Sequence, residues 1–113
     1  KSNKVQSRTY ARKALSVKPS YGKAYLLIAQ LYGSSINECG DNPFDKRAVY
    51  WLAAQYADKA AATDASLKGI ASKTAASYRA AAPTKTDIFN EGKAGQRIAF
   101  GCWIGESVVV PNL

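Results

Sequence analysis

Two cysteines and a run of N-terminal cations are the side chains with most chemistry to offer here, and histidine is absent. Without it the commonest general base and the commonest metal ligand are both missing. Two Cys do not complete a four-ligand zinc site when carboxylates must supply the rest. A nucleophilic Cys102 has no imidazole to activate it. Glu91 with Glu106, or Asp41 with Asp45, could pair as carboxylates, yet nothing in the spacing fixes a separation suited to acid–base work. Gly92, Gly95, Gly101 and Gly105 follow no phosphate-loop spacing. The expectation is no catalytic residue, no metal and no cofactor.

What remains is charge and thiols. Sixteen basic residues against 8 acidic ones give a net charge of +8. Lys1, Lys4, Arg8, Arg12, Lys13, Lys18 and Lys23 carry seven of those charges, with no acid among the first 23 positions. Lys4, Arg8 and Arg12 stand four apart and share one helical stripe. Such a stripe could hold the phosphates of nucleic acid or an anionic membrane surface. No aromatic residue for base stacking interleaves with it, since Tyr10 is expected in the core, and this weakens specific nucleic-acid reading.

The elements that must position these groups come from a repeat. The 113 residues are one domain's worth of chain, with twenty alanines, seven Tyr and two Trp to build a close-packed helical core. No apolar run approaches the roughly 20 residues that cross a bilayer, and no apolar segment of a signal peptide follows Arg8. At an offset of 46 residues, Tyr10-Ala11-Arg12-Lys13-Ala14 aligns with Tyr56-Ala57-Asp58-Lys59-Ala60. The same shift puts Pro19-Ser20-Tyr21 on Ala65-Ser66-Leu67, and Ala29 and Tyr32 on Ala75 and Tyr78. Tyr25, Ile28, Ala29 and Tyr32 recur at the spacing of one helix face, as do Leu67, Ile70, Ala71, Thr74, Ala75 and Tyr78. Ser20 and Ser66 are placed to cap those helices. Asn42-Pro43 opens a helix over 43–63, a capping side chain followed by a Pro whose missing N–H costs nothing there. A further helix spans 3–17.

This pattern resembles the tetratricopeptide repeat, a helix–turn–helix unit of about 34 residues. Tyr25, Ile28, Ala29 and Tyr32 fit its first helix, Ala53 and Ala60 its second, and Asp64-Ala65 is a degraded form of its ending. Ala14 and Pro19 match the same places in a truncated first copy. More finely, Cys39-Gly40, Ala48 to Ala53 and Cys102 to Glu106 make the chain similar to the C-terminal part of uncharacterised bacterial tetratricopeptide proteins, which implies context and no mechanism. The resemblance implies a mainly α fold, a right-handed stack of about four helices in hairpins. Residues 1–19 form the second helix of a truncated repeat, and 20–65 a repeat with an inserted loop at about 33–44. Residues 66–82 form the first helix of the last repeat, and 83–113 a tail.

In the tail, Pro83 and the Thr-Lys-Thr run end the helical spacing. Ile98, Phe100, Cys102 and Ile104 alternate, and Gly105-Glu106 suits a two-residue turn, so a β-hairpin over 96–110 is expected to cap the last helix. In such a stack the tail begins beside the inserted loop, which brings Cys39 and Cys102 near each other. Two states stay open: a disulfide, or two buried free thiols. A disulfide favours an oxidising compartment such as the periplasm or cell envelope.

The family's groove-facing positions imply Lys23, Gln30, Lys73 and Arg79 as polar contacts and Leu26 as an apolar one. Its carboxylate-clamp positions hold Leu26, Gln30, Ser72 and Ala76, which disfavours that ligand class. The function expected is a non-enzymatic scaffold binding a partner protein or peptide in a concave groove, as the C-terminal fragment of a larger protein. The alternative is a basic anion-binding module acting through Lys4, Arg8 and Arg12. Structurally, that stripe instead complements acids in a preceding repeat, the reading preferred here.

Overall fold

Asn42 and Pro43 do what their types dictate. The Asn42 side chain accepts the Asp45 N–H at 2.9 Å and Pro43 takes the first helical position, opening the longest helix of the chain. The computed structural model describes residues 3–112. Its α-helices are α1 (Lys4–Val17), α2 (Gly22–Gly33), α3 (Pro43–Thr63), α4 (Lys68–Ala81) and α5 (Lys85–Glu91). Two strands, β1 (Arg97–Ala99) and β2 (Ser107–Val109), form an antiparallel pair with Ile98 opposite Val108. The chain is mainly helical, and among the described residues no helix is long and apolar enough to cross a membrane.

The expected capping serines are not the caps. Tyr21 precedes α2 with no side-chain hydrogen bond. Before α4 it is Asp64 that accepts, from the Ser66 N–H at 3.1 Å and the Ser66 hydroxyl at 2.6 Å, opening a short 3-10 turn. The hydroxyl bond from Ser66 holds the Asp64 carboxyl below its usual range. Nor does the chain stay irregular after Pro83. Thr84 and Asp87 exchange hydrogen bonds, Asp87 N–H to Thr84 Oγ1 at 3.1 Å and Thr84 N–H to Asp87 Oδ2 at 2.9 Å, and this capping box starts α5. The Thr-Lys-Thr run therefore begins a helix rather than breaking one.

Helices pack in chain order, α1 on α2, α2 on α3 and α3 on α4. Centrally placed, α3 buries one face of Val49, Leu52 and Ala53 with Ile28, and another of Ala54 and Ala57 with Ala29 and Ala75. Side chains this small let helix backbones approach closely. A Cβ on Gly33 would sit 2.6 Å from the Tyr78 ring, so the end of α2 meets the end of α4 only because that residue has none. Tyr32 near the end of α2 and Tyr78 near the end of α4 both pack against α3. The Tyr32 ring meets Tyr56 edge-on at 5.3 Å, and Tyr78 stacks on Tyr50 at 5.8 Å.

Arg47 of α3 finishes α4, donating to Ala81 O at 3.2 Å and Ala82 O at 3.1 Å while reaching Asp87 of α5 at 3.2 Å. The hairpin then returns across α3, where Ile98, Val108 and Val110 join the core with Val49 and Leu52. It covers that helix rather than α4, which corrects the expected cap. The loop is longer than two residues: the strand register ends at Ala99 opposite Ser107, Phe100 N–H still donates to Glu106 O at 2.8 Å, and 101–105 leaves the ladder. Phe100 and Ile104 are still buried as their alternation implied, but the loop turns at 101–104 to carry Cys102 toward Cys39.

Candidate functional site

The inserted loop and the tail meet at a disulfide. Cys39 and Cys102 are bonded across a sequence separation of 63 residues, with Cα atoms 5.3 Å apart. Gly40, next to Cys39, lets the loop lie against the first turn of α3. Its φ is +92°, and a Cβ there would stand 2.7 Å from the Lys46 backbone nitrogen.

The basic stripe lies beside this junction, and its donors are occupied. Lys4 Nζ donates to Glu38 at 2.7 Å, Ser35 Oγ at 3.0 Å and Ser34 O at 3.2 Å. Arg8 donates to Ile104 O at 2.6 Å, Trp103 O at 3.0 Å and Tyr32 Oη at 3.0 Å, its guanidinium 4.9 Å from the Trp103 ring centre. Arg12 reaches Glu106 at 3.3 Å. The stripe thus engages acids and carbonyls of this chain's own loop and tail. Lys1, counted with the basic segment, lies outside the described residues.

Glu106 joins three helices. It accepts from Tyr32 of α2 at 2.5 Å, from Tyr56 of α3 at 2.9 Å and from Arg12 of α1. Burial pushes both phenols up, and the neighbouring Glu106 carboxylate pushes them further. Both remain protonated donors at neutral pH. The cluster ties the tail to α1, α2 and α3. Of the other acids considered, Asp41 and Asp45 line one cavity beside the disulfide, with Asp45 paired to Lys93 at 3.3 Å, while Glu91 is exposed on α5 and Glu106 is held in the tyrosine cluster.

The residues expected in a groove are distributed unevenly. Lys23 and Gln30 are exposed on α2, and Lys73 is exposed on α4. Leu26 is half-buried, packed on the alanine cluster with Tyr56 and Tyr78. Arg79 is held by Asp58 of α3, a hydrogen bond that raises its pKa.

Sequence reasoning missed a second surface. Tyr10 was expected in the core and is 60% exposed. With Ala11 and Ala14 it forms one wall of a groove whose other wall is Tyr21, Ala24 and Leu27 of α2. The signal was present, because the 46-residue offset pairs Tyr10 with Tyr56, a tyrosine that a packed helix covers. Comparison of the chain with protein-family models, with curated proteins and with solved structures gave no match.

Proposed function

We propose that this chain is a non-enzymatic protein-interaction scaffold of the tetratricopeptide kind that holds a partner segment on exposed helix faces. The observation that carries this reading is the equivalence of positions 46 residues apart. Ala29 and Ala75 are 0% and 1% exposed, Ala11 and Ala57 are 4% and 0%, and both helix-ending tyrosines pack toward α3. Repeating helical units bury one face on their neighbours and leave another for ligands. The exposed polar positions Lys23, Gln30 and Lys73 on α2 and α4 supply the partner-facing side, with Arg79 braced by Asp58 at its edge. The conspicuous ionisable groups are tied into structural bonds, which favours binding over turnover. Disulfides persist in oxidising compartments, and the Cys39–Cys102 bond supports the cell envelope as the place of work.

A photo-crosslinking residue placed at Gln30 or Lys73 tests the reading. The expected result is an adduct with one polypeptide, competed by excess unlabelled chain but less well by excess chain carrying Gln30→Glu with Lys73→Glu. No competed adduct would overturn it. The anion-binding alternative requires free cations on α1, whereas Lys4, Arg8 and Arg12 are engaged internally. Binding of mixed oligonucleotides that falls steeply with salt would reinstate it.

A further inference from the structure

The groove between α1 and α2 has a volume of about 280 Å³ and a floor of small residues. Ala11 and Ala24 are each 4% exposed, while Tyr10, Tyr21 and Leu27 stand above them. Contiguous apolar surface of this kind, rimmed by polar residues, marks an interaction site.

The internal repeat specifies what shape fits. Tyr10, Ala11 and Ala14 precede Tyr56, Ala57 and Ala60 by 46 residues. On α3 those three positions are the seat of α2. The Tyr56 ring meets Tyr25 at 6.4 Å and Tyr32 at 5.3 Å, Ala57 packs with Ala29, and a Cβ on Gly22 would lie 3.1 Å from Ala60 O. On α1 the same residue types stand at the same spacing, but Tyr10 is 60% exposed, and Ala11 and Ala14, packed on one side against the core, floor an open groove on the other. Charge adds the second constraint. No acidic residue precedes Glu38. Lys23 lines the groove, and Lys18 stands over the Tyr21 ring at 6.0 Å. Neither makes an ion pair with another described residue.

We propose that this groove docks an acidic amphipathic α-helix of a partner protein, seated on α1 as α2 is seated on α3. The inference rests on the scaffold reading and names the chemistry of its partner. Small side chains of that helix lie on Ala11 and Ala14, an aromatic one covers Tyr10, and its Asp or Glu side chains face Lys18 and Lys23. Helix-in-groove recognition uses such anchors at helical spacing, and unlike charge fixes the register.

The probe is a labelled peptide of residues 20–33 carrying K23E, L27E and Q30E, titrated into the oxidised chain and followed by fluorescence anisotropy. Saturable binding is expected, weakened about tenfold by Tyr10→Ala with Leu27→Lys. Both positions are exposed, and an unchanged far-ultraviolet spectrum confirms that the variant folds. A peptide with Lys at the three Glu positions is expected to bind more weakly still. No saturable binding, or equal affinity for the variant or for the Lys peptide, overturns the proposal. So does a chain that dimerises by itself and becomes monomeric with Leu27→Lys, since a second copy would then be the occupant. Gln30→Glu with Lys73→Glu lies off the groove walls and is expected to leave peptide binding intact. Crosslinks at those two positions without peptide binding overturn the groove alone; absence of the crosslinks overturns the scaffold reading, whatever the peptide does.

Discussion

Breaking the Cys39–Cys102 bond is expected to remove a large fraction of this chain's stability. The bond spans 63 residues of sequence, from the inserted loop through α3, α4 and α5 into the tail. Chain-entropy arithmetic for a closed loop of that length gives about 14 cal/mol/K, or about 4 kcal/mol at 25 °C. Domains of this size have net stabilities of about 5–15 kcal/mol, so the loss is about a quarter or more. The native tail keeps its other attachments, namely the Arg8 bonds to the loop carbonyls, the Glu106 cluster and the buried Ile104, Val108 and Val110. The effect therefore falls on the unfolded ensemble, which regains freedom across more than half the chain. Urea unfolding by circular dichroism, oxidised against fully reduced, is the assay. A lower midpoint is expected for the reduced chain, with a steeper denaturant dependence because its unfolded state is more expanded. Cys39→Ala with Cys102→Ala is expected to match the reduced chain. A difference below about 1 kcal/mol would refute the loop-entropy reasoning, and two reactive thiols in the unreduced, denatured chain would refute the bond itself.

Three further outcomes follow from particular contacts. Glu106→Ala strips Tyr32, Tyr56 and Arg12 of a shared acceptor and is expected to cost about 2–4 kcal/mol, with Glu106→Gln costing less because it retains an acceptor; denaturant midpoints decide. The raised phenols of Tyr32, Tyr56 and Tyr78 hold their protons in the fold when an unfolded tyrosine has begun to ionise near pH 10. The unfolded state then binds fewer protons, so stability is full below that pH and falls above it, by up to about 1.4 kcal/mol per pH unit for each residue; Tyr56→Phe is expected to flatten the fall measured by urea titration at alkaline pH. Gly33→Ala drives a methyl into the Tyr78 ring and is expected to cost about 1–3 kcal/mol, less when Tyr78→Ala is also present, a coupling that a double-mutant cycle measures.

Local chemistry made much of the helical part legible. The start of α3 at Asn42-Pro43 and the burial of Tyr32, Ala53 and Ala60 follow from capping and from 3.6-residue periodicity. Competing local signals misled elsewhere. Ser20 and Ser66 carry the right hydroxyl, but the Asp64 carboxylate accepts before α4, and no side chain caps α2 at Tyr21. Pro83 masked the Thr84–Asp87 capping box, whose T-x-x-D pattern was open to view. The alternation through Ile98, Phe100 and Ile104 is a real burial pattern, yet the demand that Cys102 reach Cys39 ends the ladder at Ala99. The candidate surfaces were the least legible. Lys4 finds Glu38, and Arg12 finds Glu106, across separations that no local rule spans. Tyr10 and Tyr56 are the same residue in the same pattern, and only the placement of a covering helix makes one core and the other surface.

Everything functional here depends on α3 presenting Tyr56, Ala57 and Ala60 to α2 and clustering Ala54 and Ala57 with Ala29 of α2 and Ala75 of α4. Nuclear Overhauser spectroscopy of the labelled, oxidised chain tests that most directly. Cross-peaks are expected from the Ala57 methyl to Ala29 and from the Tyr78 ring to Gly33, while the Tyr10 ring contacts only α1 and α2. Tyr32 and Tyr78 reporting on unrelated elements, or Ala57 showing no contact with α2, would contradict the account.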